Sequence, residues 1–251
     1  MEIFGEKMKI FSVDVESVSD ANMIGKDFTE EGVKIIVDML KRYKQQATFF
    51  WVGRTAEKYK KLVKWLYDQG YEIASHGYTH VRLDNFTVDE LNKYLRKSSD
   101  SIKKIIGERP KGFRAPIFSV WRDYKKFLSI VGKYFEYDSS IVPVRTPFYG
   151  FRKIKDTPFN VGKLREFPIG TTKVMGIKIP TGGFFIRVAP YIKLKDYAVI
   201  YTHPWEYTDY KYKAKSKIEG LLNNMCKKNL KSKMESLLKV HRFSSFKLSK
   251  S

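Results

Sequence analysis

Lys9-Ile10-Phe11-Ser12-Val13-Asp14-Val15-Glu16 is the stretch on which the fold turns. It reads as an apolar strand over Lys9–Val15 that ends in acidic residues. Asp14 and Glu16 are two apart, so both carboxylates point to the same side of that strand. Downstream, strands and helices alternate. Thr29 can cap a helix with Glu30 and Glu31 in its first turn and Val33, Ile36, Val37 and Leu40 at helical spacing. Ala47–Val52 is a continuous apolar run ended by Gly53, as a buried parallel strand should be. A helix over Thr55–Gln69 and a strand over Tyr71–Ser75 come next, then a helix opened by the capping box Thr87-Val88-Asp89-Glu90 and closed at Gly107. Gly112–Ala115, Glu136–Ser140 and Tyr197–Thr202 read as further strands, with a helix over Tyr124–Val131. This alternation through residue 140 predicts a parallel α/β sheet or barrel. Residues 141–190, rich in Pro and Gly, read as loops with short strands, and after Tyr210 the pattern is helical and basic.

The chain has 251 residues, 43% hydrophobic and 15% aromatic, enough for a sizeable core and too apolar for a disordered basic tail. Its net charge of +21 invites a nucleic-acid reading. Yet 36 of the 48 basic residues are Lys, and no zinc-finger, RNP or P-loop pattern is present. The last 45 residues carry +9, with 12 basic and 3 acidic side chains. A Lys-rich solvated surface is therefore expected, with no specific nucleic-acid partner and with peripheral attraction to an anionic membrane or glycan as the lesser role. One cysteine, Cys226, excludes an internal disulfide. No apolar run is long enough to span a bilayer, and Met1–Glu6 shows no secretion signal, so a cytoplasmic location is expected.

Three of the four histidines, His76, His80 and His203, fall at or just past strand ends. In parallel α/β folds that edge collects catalytic groups. His76-Gly77-Tyr78-Thr79-His80 follows a strand and contains a glycine, so a tight loop presenting both rings is expected. Two imidazoles and one carboxylate leave coordination positions open for water and substrate, as a hydrolytic metal site requires. Phe113-Arg114-Ala115-Pro116 adds a cation near the same edge, Asp138 a carboxylate, and Ile200-Tyr201-Thr202-His203-Pro204-Trp205-Glu206 a third imidazole.

Taken as a set and in this order, the motifs resemble those of the polysaccharide deacetylases, the NodB-type carbohydrate esterases that remove N-acetyl groups from amino sugars. The resemblance covers roughly residues 9 to 210 and rests on Ser12–Glu16, His76–His80, Arg114–Pro116, Tyr137–Ser140 and Ile200–His203. It is nearest to a cytoplasmic subgroup with Asp-Val-Glu, Tyr-Asp-Ser-Ser and His-Pro-Trp-Glu, and Gly182–Arg187 looks like that subgroup too. The resemblance implies a distorted (β/α) barrel of about seven strands over residues 1–210. Residues 211–251 are then a Lys-rich helical extension packed on the barrel. It further implies Asp14 as general base, Arg114 holding it, and Glu16, His76 and His80 as ligands of a divalent metal, zinc or alternatively cobalt. His203 would be the general acid with Asp138 fixing its charge, and Pro116, Ile117 (through its N–H), Tyr137 and Trp205 would meet substrate. Three positions depart from the family: Val15 stands where many relatives have a second Asp, Gly77 replaces Ser or Thr, and the Trp often found after the fourth motif's Asp is missing. The implied reaction is release of acetate from an N-acetylated sugar of a polysaccharide, oligosaccharide or glycolipid. A same-fold hydrolase of a small amide or ureide is the alternative.

Overall fold

The computed structural model describes residues 8–147, 149–214 and 216–247. The leader reading rests on Met1–Glu6, which lie outside them. In chain order the first half holds β1 (Lys9–Val15), β2 (Met23–Ile24), α1 (Thr29–Arg42), β3 (Thr48–Trp51), α2 (Gly53–Lys58), α3 (Lys60–Asp68), β4 (Glu72–Ser75) and α4 (Val88–Ile106). The middle supplies β5 (Gly112–Phe113), α5 (Tyr124–Val131), β6 (Tyr137–Asp138), β7 (Phe159–Val161), β8 (Leu164–Glu166), β9 (Thr171–Val174) and β10 (Ile177–Pro180). Then come α6 (Gly183–Val188), β11 (Ala198–Thr202), β12 (Lys213–Ala214), α7 (Lys217–Asn224) and α8 (Leu230–Val240).

Eight strands form one curled sheet in the order β11-β1-β3-β4-β5-β6-β8-β7. Every pair in it is parallel except the edge pair β7–β8. The sheet thus has the expected parallel strands plus one antiparallel edge, and it is a half-barrel. β1 shows why the sequence folds this way. Phe11, Val13 and Val15 pack outward with Val33, Ile36 and Leu40 of α1 and with Met234 and Leu238 of α8. Ile10 packs inward with Phe50, Tyr137 and Phe167, and Ser12 and Asp14 share that inner face. Period-two alternation places apolar side chains under the helices and polar ones inside.

The capping box at Thr87 forms, with Glu90 closing it, and Gly107 ends α4 in the left-handed region. Two expectations need correction. Thr29 lies inside α1, and Asp27 accepts both its backbone N–H and its hydroxyl. The helix expected over Thr55–Gln69 is split at Tyr59 and begins at Gly53. This early start lets the N–H groups of Gly53 and Arg54 donate to the carbonyls of Gly77 and Tyr78. At the other end of the barrel, Ser244 bridges Ile10, and Phe246 stacks on Tyr137 against Phe50 and Phe167. No helix among the described residues is long and apolar enough to cross a membrane.

Candidate active site

At the C-terminal ends of β1, β4, β5 and β11 the inner face gathers Asp14, Glu16, His76, Arg114 and His203, with His80 four residues beyond His76. Arg114 is fully buried and makes four hydrogen bonds through its guanidinium. Its Nη1 donates to Asp14 Oδ1 at 2.6 Å and to Ser12 Oγ at 2.9 Å, Nε donates to the Ser139 carbonyl, and Nη2 to Ser139 Oγ. The Phe50 ring lies beneath it, 4.2 Å from Cζ. Asp14 is thereby held in one orientation with a fixed cation on one oxygen.

Glu16, His76 and His80 bring one ligand atom each to within 4.8 Å of one another. His76 Nδ1 donates to the Arg114 carbonyl and His80 Nδ1 to the Asp20 carbonyl, both at 2.9 Å. A carbonyl can only accept, so Nδ1–H is fixed on both rings and Nε2 is left as the ligating atom. Burial pulls His76 down to about 4, so its ring is neutral at pH 7. Burial opposes charge on Glu16, but His80 and His203 outweigh it and hold the carboxyl well below its ordinary range. Glu16 Oε2 sits 2.8 Å from His80 Nε2; burial lowers His80, but the Glu16 charge outweighs it and raises the imidazole. Two lone pairs cannot rest at that separation unless a cation or a proton lies between them. The donor set therefore fits a divalent metal.

Gly77 has φ +77°, and a side chain there would collide with the Tyr94 hydroxyl. Tyr94 donates instead to the Thr79 carbonyl, and Ser75 Oγ accepts the Gly77 N–H.

Three expected placements are corrected. Asp138 does not meet His203. Its register partner across the sheet is Phe113, which packs outward, so Asp138 faces that side and bonds Ser140 and Glu166. Tyr137 points inward but is fully buried in the barrel floor, donating to Glu72. Trp205 is 6% exposed, stacks on His203 with centroids 5.2 Å apart, and reaches Glu16 Oε1 through its indole N–H at 3.4 Å. It is a wall behind two site residues. Pro116 is buried and opens the short turn Pro116–Phe118, where Ile117 is half-buried with φ 56°.

The position expected of Asp138 is filled by Glu206, to which the sequence reading gave no role. Glu206 Oε2 accepts the His203 backbone N–H at 2.8 Å and lies 3.0 Å from His203 Nδ1. Burial lowers His203, but the charges of Glu206 and then Glu16 reverse this and raise it to about 9. Glu206 in turn contacts Arg187 at 2.8 Å, and Arg187 donates to the carbonyls of Leu222, Asn223 and Met225 at the end of α7. The local signal was available: His-Pro-Trp-Glu is a capping box, with His203 before a proline-led turn and Glu206 at its third position. Asp20 also went unread. It accepts from Ser17 and Thr55 and so fixes the carbonyl that orients His80.

Comparison with known proteins agrees with this geometry. Residues 22–132 match the polysaccharide deacetylase family and residues 139–249 a domain of unknown function (DUF3473). A peptidoglycan deacetylase of Helicobacter pylori is 29% identical over 123 residues, covering 48% of this chain and 41% of that one. A peptidoglycan-N-acetylglucosamine deacetylase of Bacillus cereus is 32% identical over 92 residues, 37% of this chain and 34% of its own. The chain thus spans less than half the length of these relatives. A crystal structure described as a polysaccharide deacetylase of Mycobacterium smegmatis superposes with a TM-score of 0.65 at 17% identity, covering 99% and 91% of the two chains. A pseudoenzyme of carbohydrate esterase family 4 from Bacillus anthracis gives 0.57 at 16% identity, over 97% and 65%. Half-barrel, site cluster and family match converge: residues 22–132 carry a polysaccharide deacetylase domain of the NodB type.

Proposed function

We propose that this chain hydrolyses the N-acetyl group of an amino sugar within a glycan or glycolipid, releasing acetate and a free amine. The observation that carries the reading is the buried cluster of Glu16, His76 and His80 beside an Arg114-held Asp14, with a protonated His203 opposite. The relatives named for peptidoglycan deacetylation support a peptidoglycan-like substrate. A divalent metal on Glu16, His76 and His80, zinc or alternatively cobalt, would polarise the amide carbonyl and make water nucleophilic near neutral pH.

The chain's own groups then divide the proton work. Asp14 takes the proton of the attacking water, and Arg114 keeps its carboxylate aimed at that proton. The Ile117 backbone N–H supports the developing oxyanion. His203, held protonated by Glu206, gives its proton to the departing amine. The location proposed is the cytoplasm, where the single cysteine stays reduced.

Acetate release from N-acetylglucosamine oligomers and from peptidoglycan tests the reading. The metal-restored protein is expected to release acetate from at least one of them, and His80→Ala to lose metal and turnover together. Full metal content and rate in His80→Ala would overturn the ligand assignment. Turnover of small cyclic amides with inert sugars would favour the alternative hydrolase.

A further inference from the structure

β9 and β10 form a hairpin joined by Met175 and Gly176, with Val174 paired to Ile177. Both central residues have positive φ, 49° and 81°. Such two-residue loops are filled by Asn, Asp or Gly, which adopt the left-handed region at low cost. Here the first position holds methionine, strained in its backbone and 86% exposed, and Ile177 beside it is 67% exposed. Turn chemistry disfavours the methionine, and no packing in the fold rewards either side chain. A residue that breaks a local rule without an internal benefit points to something outside the chain.

The surrounding charge indicates what that is. Lys173, Lys178, Lys193 and Lys195 surround the hairpin, with Asp196 following the last of them, while Arg187 is buried. Thr172 Oγ1 donates to the Lys193 carbonyl, which sets the Tyr191–Lys195 stretch beside β9, with Tyr191 54% exposed. Asp156 is the carboxylate facing this group, and it is shared between Lys178 and Lys195, at 3.4 and 2.5 Å. Exposed apolar tips above a basic base suit an anionic bilayer, because only hydrocarbon rewards burying Met175 and Ile177 while headgroup phosphates pair with the lysines. A hydrated anionic polymer would reward the lysines alone.

We infer that the β9–β10 hairpin docks this protein on an anionic lipid surface, with Met175 and Ile177 entering the boundary between headgroups and acyl chains. β10 runs on to Gly182, whose backbone bridges Tyr201 in parallel, so the hairpin tip lies toward the N-terminal end of β11 and the docked face is distinct from the edge that carries His203. The docking does not rest on the deacetylase reading.

Co-sedimentation of the full chain with vesicles of phosphatidylcholine and phosphatidylglycerol, against phosphatidylcholine alone, reads docking without turnover. Wild type is expected to bind the anionic vesicles and to release in high salt. Met175→Asn with Ile177→Thr is expected to weaken binding about tenfold or more. Asparagine suits the left-handed position, so this variant should melt no lower than wild type, which separates lost docking from lost folding. Undiminished binding by the variant, or no binding by wild type, overturns the inference. So does a concentration-dependent dimer that the variant abolishes, or equal affinity for a soluble polyanion. A chain that docks yet releases no acetate would sink the reaction and leave the docking intact.

Discussion

Arg114 and Arg187 are both buried, and each faces a site carboxylate at under 3 Å, yet they do different work. Arg114 directs one hydrogen bond at Asp14 and three more at Ser12 and Ser139, all within the barrel. Arg187 meets Glu206 in a charge contact without a directed hydrogen bond. Its donors go to three carbonyls at the end of α7. The first arginine fixes Asp14, the base we propose, in the scaffold that builds it. The second ties a C-terminal segment, through Glu206, to His203. A buried pair can therefore serve orientation or assembly, and the use of the remaining donors tells which.

Breaking the first pair should cost most. Arg114→Met leaves Asp14 charged and unpaired inside the barrel, so unfolding in denaturant should show a loss of about 3–5 kcal/mol. Lysine should not rescue it, since one ammonium cannot reach Ser12, Asp14 and Ser139 together. A variant within 1 kcal/mol of wild type would mean Asp14 is not desolvated as described. His203→Ala should keep its metal and lose turnover by roughly 10²–10⁴-fold, and an unchanged rate would assign the proton to another group. Arg187→Met should be milder, on the order of 1–3 kcal/mol, because it strands carbonyls and one carboxylate that also bonds His203. Hydrogen exchange should show faster opening of α7 and little change at α1.

Glu206→Gln sharpens the contrast through pH. His203 rises in the fold from 6.5 to about 9. The folded state thus binds the proton more tightly, and its contribution is complete below about 6.5. It is lost as pH climbs through about 9. The metal-free protein should lose stability across that window, and Glu206→Gln should flatten the slope. An equal slope in both would remove Glu206 as the partner. Glu166→Gln should have the smallest effect. Burial and then the Asp138 charge push Glu166 well above its ordinary value, so its ionisation opposes folding as pH rises. The variant should match wild type within about 1 kcal/mol at pH 6 and become the more stable one in alkali.

The sequence showed much of the catalytic edge because each clue was local. Alternation along Lys9–Val15 needs only neighbouring residues to separate an outward from an inward face, and the capping box at Thr87 closes within one turn. Asp138 was misplaced because the orientation of a two-residue strand comes from its partner's register, opposite Phe113, and nothing within Tyr137-Asp138 reveals it. Tyr137 and Trp205 were expected at substrate for the same reason: depth in a barrel is not written in a motif. Glu206 carried a readable signal, a carboxylate three residues after a histidine.

By itself the sequence determined the strand–helix alternation and the types and order of the residues at the strand ends, since these follow from periodicity and side-chain chemistry. Only the tertiary structure decided which carboxylate serves which imidazole. Glu16 meets His80 across 64 residues of chain, and Arg187 meets Glu206 only because the sheet curls and α7 folds back. Such pairings arise from long-range packing, which selects among several chemically equivalent acids by position alone.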